Sequence, residues 1–157
     1  MFCLGNKVCC GFEHRDMNRD FSRALYAEIE RQAAENGVTT FMTGGMGEFD
    51  RELAAAVRLC QRAYPTLRLI LVKPYFSSEL NTNKNYYESM FDEVIIPDVS
   101  ATAYPKAAIT KRNRWLVEKS DVVIAGIYRN NGGAAAAVKY ARNLQKPICF
   151  LFPDAAF

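Results

Sequence analysis

The chain has 157 residues, half of them hydrophobic and 24% charged, which suits one domain with a sizeable core and no need of metals or disulfides. A formal charge of +3 with scattered basic residues argues against a nucleic-acid stripe, and no apolar run approaches the roughly 20 residues that span a bilayer. The start, "MFCLGNKVCC", has neither the charged opening nor the long apolar stretch of a signal peptide, so a cytoplasmic location is expected.

Short apolar runs read as strands at residues 7–12, 38–43, 67–72, 93–96, 121–126 and 147–152. A first helix carries Phe21, Leu25, Ile29 and Ala33 at four-residue spacing, with Asp16 or Asn18 as N-cap and Gly37 as its stop. A second carries Phe49, Leu53, Val57 and Cys60 and ends before Pro65. The pattern predicts a third helix over 109–119 and a fourth over 133–144. Residues 73–92, after the third strand, read as a polar loop, with a partly helical excursion or a lid as the alternatives. Residues 97–108 read as an irregular connection.

Strand alternates with helix, which predicts an α/β fold: one three-layer Rossmann-like domain over 1–157, with a mostly parallel sheet and helices on both faces. Five cysteines, Cys3, Cys9, Cys10, Cys60 and Cys149, lack metal spacing and read as free thiols. His14 is the single histidine, so no metal site and no bound cofactor are expected.

Ligands of such sheets bind beyond the carboxyl ends of the strands, and glycine turns fall there. "GFEHRD" follows the first strand with Gly11, His14, Arg15 and Asp16; "TGGMGEFD" follows the second with Gly44, Gly45 and Gly47; "YRNNGGAAAA" follows the fifth with Gly132 and Gly133. Such a turn lets a ligand approach the main chain, and the N–H groups of the following helix favour an anion. One turn could simply join a strand to a helix. Two, with Arg15 and Arg112 nearby, point to a phosphate-bearing ligand. Neither is a Walker A loop or a Gly-x-Gly-x-x-Gly fingerprint.

His14 is expected to be exposed at its strand end, either as a surface residue or as an acid, base or hydrogen-bonding partner of a ligand. Asp50 either caps its helix or holds a ribose hydroxyl, as Asn113 could; Trp115 and Tyr140 read as core or interface residues, and Tyr75 could face a base.

The segments "VCCGFEHRD", "GGMGEFD", "KRNRWLVEKSDVVIAG" and "GGAAAAVKYA" together resemble the SLOG superfamily, in particular its small YpsA-like proteins and, more distantly, the LOG phosphoribohydrolases and DprA-type DNA-processing proteins. The resemblance implies nucleotide recognition at the strand ends. Two departures stand out. Glu13 replaces the glycine that precedes His-Arg in the family, and a carboxylate there opposes phosphate. In LOG enzymes an arginine and a glutamate act together on an N-glycosidic bond. Arg112 matches the arginine, but the chain runs Ala134 to Ala137 where the glutamate would stand.

The leading expectation is therefore binding of a nucleotide or ADP-ribose-like ligand, in a sensing role, through His14, Arg15, Gly44, Gly45, Gly47, Asp50, Arg112, Asn113, Gly132 and Gly133. The alternatives are a nucleotide N-glycosidase using Arg112, Asp50 or Glu48 with His14 as proton donor, and a single-strand-DNA-binding protein. The apolar end "CFLFPDAAF" is compatible with a homodimer.

Overall fold

The computed structural model describes residues 7–14, 21–45 and 47–152. Arg15, Asp16, Asn18 and Cys3 lie outside the described residues, so the first loop is followed only as far as His14.

Six strands form one parallel sheet: β1 (Lys7–Glu13), β2 (Val38–Thr43), β3 (Arg68–Val72), β4 (Glu93–Ile95), β5 (Val122–Gly126) and β6 (Ile148–Phe150), in the order β4-β3-β2-β1-β5-β6. The main helices are α1 (Ser22–Glu35), α2 (Glu48–Cys60), α6 (Pro105–Lys119) and α7 (Gly132–Asn143). The fold is the expected Rossmann-like α/β sandwich.

Alternation along the strands builds both faces at once, because successive side chains leave a strand on opposite sides. Cys9, Phe41, Leu69 and Ile124 join Leu25, Ile29, Phe49 and Leu53 of α1 and α2 in one core. Their neighbours Cys10, Met42, Ile70 and Ala125 join Leu116, Val117, Val138 and Ala141 of α6 and α7 in the other. Strands buried on both faces are apolar along their covered stretches, as residues 9–10, 41–42, 69–72 and 122–125 are.

The connections correct two expectations. Residues 73–92 are not a plain loop but hold two short helices, α3 (Glu79–Thr82) and α4 (Lys84–Met90). Tyr87, Met90 and Phe91 of that segment recur at helical spacing and pack on the α1–α2 core, a pattern that the surrounding asparagines and serines obscure. Residues 97–108 are likewise mostly helical. They form α5 (Asp98–Ala101) and the first turn of α6, which starts at Pro105, where a proline costs no helical hydrogen bond.

Strand β1 sits between β2 and β5, so the chain leaves it toward opposite sides of the sheet. This is the switch point of the topology, and its crevice opens at the carboxyl ends of β1 and β5, where Glu13 pairs with Gly126.

Candidate functional site

A cleft of about 360 Å³ lies at that crevice. The end of β1 contributes Glu13 and His14, the β2–α2 turn and the first turn of α2 Gly44 and Asp50, α6 Arg112 and Asn113, and the β5–α7 turn and the start of α7 Arg129, Gly132 and Gly133. Residues from four separate stretches of the chain thus meet at one rim. Of the ten expected ligand-binding residues, His14, Gly44, Asp50, Arg112, Asn113, Gly132 and Gly133 border the cleft. Gly45 borders a different hollow, and Gly47 is the N-cap of α2. Arg15 is outside the described residues.

His14 is not exposed, as expected from its polar neighbours, but 2% accessible. The Tyr128 backbone N–H donates to Nδ1 over 3.1 Å, which leaves the ring proton on Nε2, 2.8 Å from the Asn131 carbonyl that accepts it. The imidazole is therefore a clasp joining the end of β1 to the β5–α7 turn, and both of its nitrogens are engaged. Its proposed role as a proton donor has no support in this arrangement. The Tyr128 ring stands edge-on to it, with centroids 4.9 Å apart. Arg129 in turn donates from Nη1 to the Tyr128 hydroxyl at 2.8 Å and from Nε to Asn131 Oδ1 at 2.7 Å. Sequence reasoning passed over Arg129, although it stands directly before the Asn-Asn-Gly-Gly turn.

Arg112 is 4% accessible. Its Nη1 donates to the Val72 carbonyl at 2.7 Å and the Gly44 carbonyl at 3.3 Å, and its Nε donates to Asn113 Oδ1 at 3.0 Å. A buried guanidinium needs such acceptors, because an unpaired charge out of water is costly. Arg112 thus ties the carboxyl ends of β2 and β3 together while forming part of the cleft wall. Gly44 explains itself by the same contact: a Cβ there would stand 3.0 Å from Arg112 Nη1.

Gly45 has φ +67°, and a Cβ on it would meet Leu71 Cδ1, so this glycine is required by backbone conformation and packing alike. Asp50 stands in the first turn of α2. Its Oδ1 accepts the Thr43 hydroxyl at 2.6 Å, closing the β2–α2 turn. Gly11, read with the first loop, is inside β1, and a Cβ on it would stand 2.9 Å from Phe49 of α2. That glycine serves helix–sheet packing.

The two glycine turns differ in electrostatics. Glu13 Oε1 lies 3.6 Å from where a Cβ on Gly47 would stand, so the protein's own carboxylate sits at the start of α2. A helix N-terminus favours an anion, and here the chain supplies one. The start of α7 is different. Gly132 has φ +90°, no side chain caps the helix, no acid stands in its first turn, and nothing lies within 4 Å of a Cβ on Gly133. Of the two helix starts, that of α7 is the one without an acid in its first turn.

Among the described residues no group of three or more His, Cys, Asp or Glu is placed to hold a metal ion, and no helix is long and apolar enough to cross a membrane. Burial raises the thiol pKa of Cys9 and Cys10, which lie within β1.

No protein family profile matches the chain, and no curated protein matches it. Solved structures do. The chain is similar to DNA processing protein A from Helicobacter pylori, a structure described for its single-stranded DNA binding mode, at 20% identity and TM-score 0.63 over 92% of this chain and 64% of that one. It is similar to DprA from Streptococcus pneumoniae at 14% identity and TM-score 0.68, over 94% of this chain and 51% of that one. A third similar structure is the molybdenum cofactor carrier protein from Chlamydomonas reinhardtii, at 17% identity and TM-score 0.60, over 92% and 75%. The chain thus spans only 64% and 51% of the two DNA processing proteins. At these identities the likeness is one of fold, the Rossmann-like parallel α/β sandwich whose switch-point cleft is described above.

Proposed function

We propose that the chain is a SLOG-like domain that binds a nucleotide or nucleotide-derived ligand, such as a nucleoside monophosphate or an ADP-ribose-like molecule, in a sensing role. The observation that carries this reading is the uncapped, acid-free start of α7, which opens onto a cleft of about 360 Å³ at the switch point. Phosphate meets the N–H groups at Gly132 and Gly133 with Arg129 beside them, and Asp50 or Asn113 accepts ribose hydroxyls. The cleft volume falls within the range of about 300–1,000 Å³ typical of small-molecule sites. A thermal-shift panel of AMP, NAD, ADP-ribose and cyclic derivatives tests it. A ligand at 100 times its Kd stabilises by about 2.7 kcal/mol, and a midpoint unmoved by every member removes the reading.

A second reading, a nucleotide N-glycosidase, draws on Glu13, Asp50 and Arg112 bordering the same cleft. Free base released from a nucleotide, and lost in Asp50→Asn or Glu13→Gln with binding intact, favours it. Single-stranded DNA is a third ligand class. The Helicobacter pylori neighbour keeps it open despite the scattered positive charge. Oligonucleotide retention that weakens with salt separates DNA binding from the other two.

A further inference from the structure

A second hollow, of about 220 Å³, opens on the other side of the β2–α2 turn. Its walls are Leu71, Ala54 and Met90, with Tyr86 and Tyr87 of α4 at its edge. We infer that this hollow receives the planar heterocyclic base of a nucleotide whose phosphate end lies in the switch-point cleft. The inference rests on the nucleotide reading above and adds to it where the base goes.

Three observations carry it. First, the two hollows adjoin. Gly44 borders the cleft and Gly45 the tyrosine hollow, and consecutive Cα atoms are about 3.8 Å apart. Asp50 borders both, so this residue stands where the sugar of a bound nucleotide would pass. Second, the smaller hollow is too small for a whole nucleotide by the usual scale of ligand sites but suits one ring system. Third, its chemistry is that of a ring site. Tyr86 and Tyr87 stand edge-to-face with centroids 5.2 Å apart, and Tyr87 stacks on Phe91 at 6.4 Å, so the rings are held in place. Of the two cations that line the hollow, Lys73 is paired with Glu79 at 3.2 Å, and Arg51 stands beside Asp50. Aromatic faces accept any base, because every base has a π-face.

Calorimetric titration with AMP and with ribose 5-phosphate, on the unaltered protein and on Tyr86→Ala and Tyr86→Phe, tests the inference. Tyr86 is half-exposed, so its truncation leaves the core intact, and an unchanged melting midpoint without ligand checks this. The expected result is AMP bound at least tenfold more tightly than ribose 5-phosphate. Tyr86→Ala weakens AMP about tenfold and leaves ribose 5-phosphate unchanged, while Tyr86→Phe keeps AMP affinity. AMP affinity unmoved by Tyr86→Ala, or both ligands weakened alike, overturns the base assignment while the nucleotide reading stands. If neither ligand binds the unaltered protein, this inference falls, and the nucleotide reading falls with it only when NAD, ADP-ribose and the cyclic derivatives also fail to bind.

Discussion

The Tyr128 amide donates to Nδ1 of His14 across the crevice between β1 and β5, and this bond fixes the imidazole as its Nε2–H tautomer. Imidazole ¹⁵N shifts near neutral pH should accordingly show an unprotonated Nδ1 and a protonated Nε2. His14→Ala leaves the Tyr128 N–H and the Asn131 carbonyl without this partner, and a loss of about 2–3 kcal/mol is expected in urea unfolding. A shift pattern of the opposite tautomer contradicts the clasp.

Arg112 and Gly44 act as one unit, the guanidinium lying over the glycine that has no side chain to displace it. Arg112→Ala removes the donor to the Val72 and Gly44 carbonyls and should cost about 2–4 kcal/mol. Gly44→Ala should cost on the order of 1 kcal/mol by pushing the guanidinium aside. The double variant should be less destabilised than the two costs combined, because the alanine clashes with nothing once the arginine is gone. Strict additivity in denaturant midpoints counts against the coupling.

Glu13 places a carboxylate at the start of α2. Glu13→Gln is expected to lower stability by about 0.5–1 kcal/mol through loss of that helix-end interaction. It should also raise affinity for a phosphate-bearing ligand several-fold, since a like charge leaves the cleft. Weaker binding by Glu13→Gln would instead place the carboxylate among the ligand's own contacts.

Cys10 is buried within β1, its Sγ 3.7 Å from the Leu116 carbonyl, and burial pushes its pKa from 9.0 to about 12. Because the folded state holds this proton more tightly than the unfolded chain, the thiol's contribution is complete below pH 9.0 and declines as pH rises from there toward about 12. The slope should reach on the order of 1.4 kcal/mol per pH unit. Cys9, raised first by burial and then by Cys10, adds in the same direction. Urea midpoints should be level from neutrality to about pH 8.5 and fall above it, less steeply in Cys10→Ala.

The sequence disclosed what depends on local pattern. The six strands and the helices behind Leu25, Leu53 and Val138 follow from periods that each segment carries in itself. The expected meeting of Gly45, Arg112 and Gly133 on one rim is met in part: Arg112 and Gly133 border the cleft together with Gly44, whereas Gly45 borders the neighbouring hollow. The burial of His14 was hidden because its partners, the Tyr128 amide and the Asn131 carbonyl, are more than a hundred residues away and are backbone groups that no side-chain pattern announces. The commitment of Arg112 to strand-end carbonyls was hidden for the same reason. Gly11 was misread because a glycine inside a strand and one in the turn after it look alike until Phe49 is packed against it.

The central claim is that an anionic nucleotide group docks at the start of α7. Amide ¹H–¹⁵N spectra recorded during titration with AMP and with ADP-ribose test it most directly. The account predicts saturable shifts at Gly132 and Gly133, with Arg129 following and Gly47 little changed. Saturation that moves Gly47 while leaving Gly132 and Gly133 still, or spectra unaltered by either ligand at millimolar concentration, would contradict it.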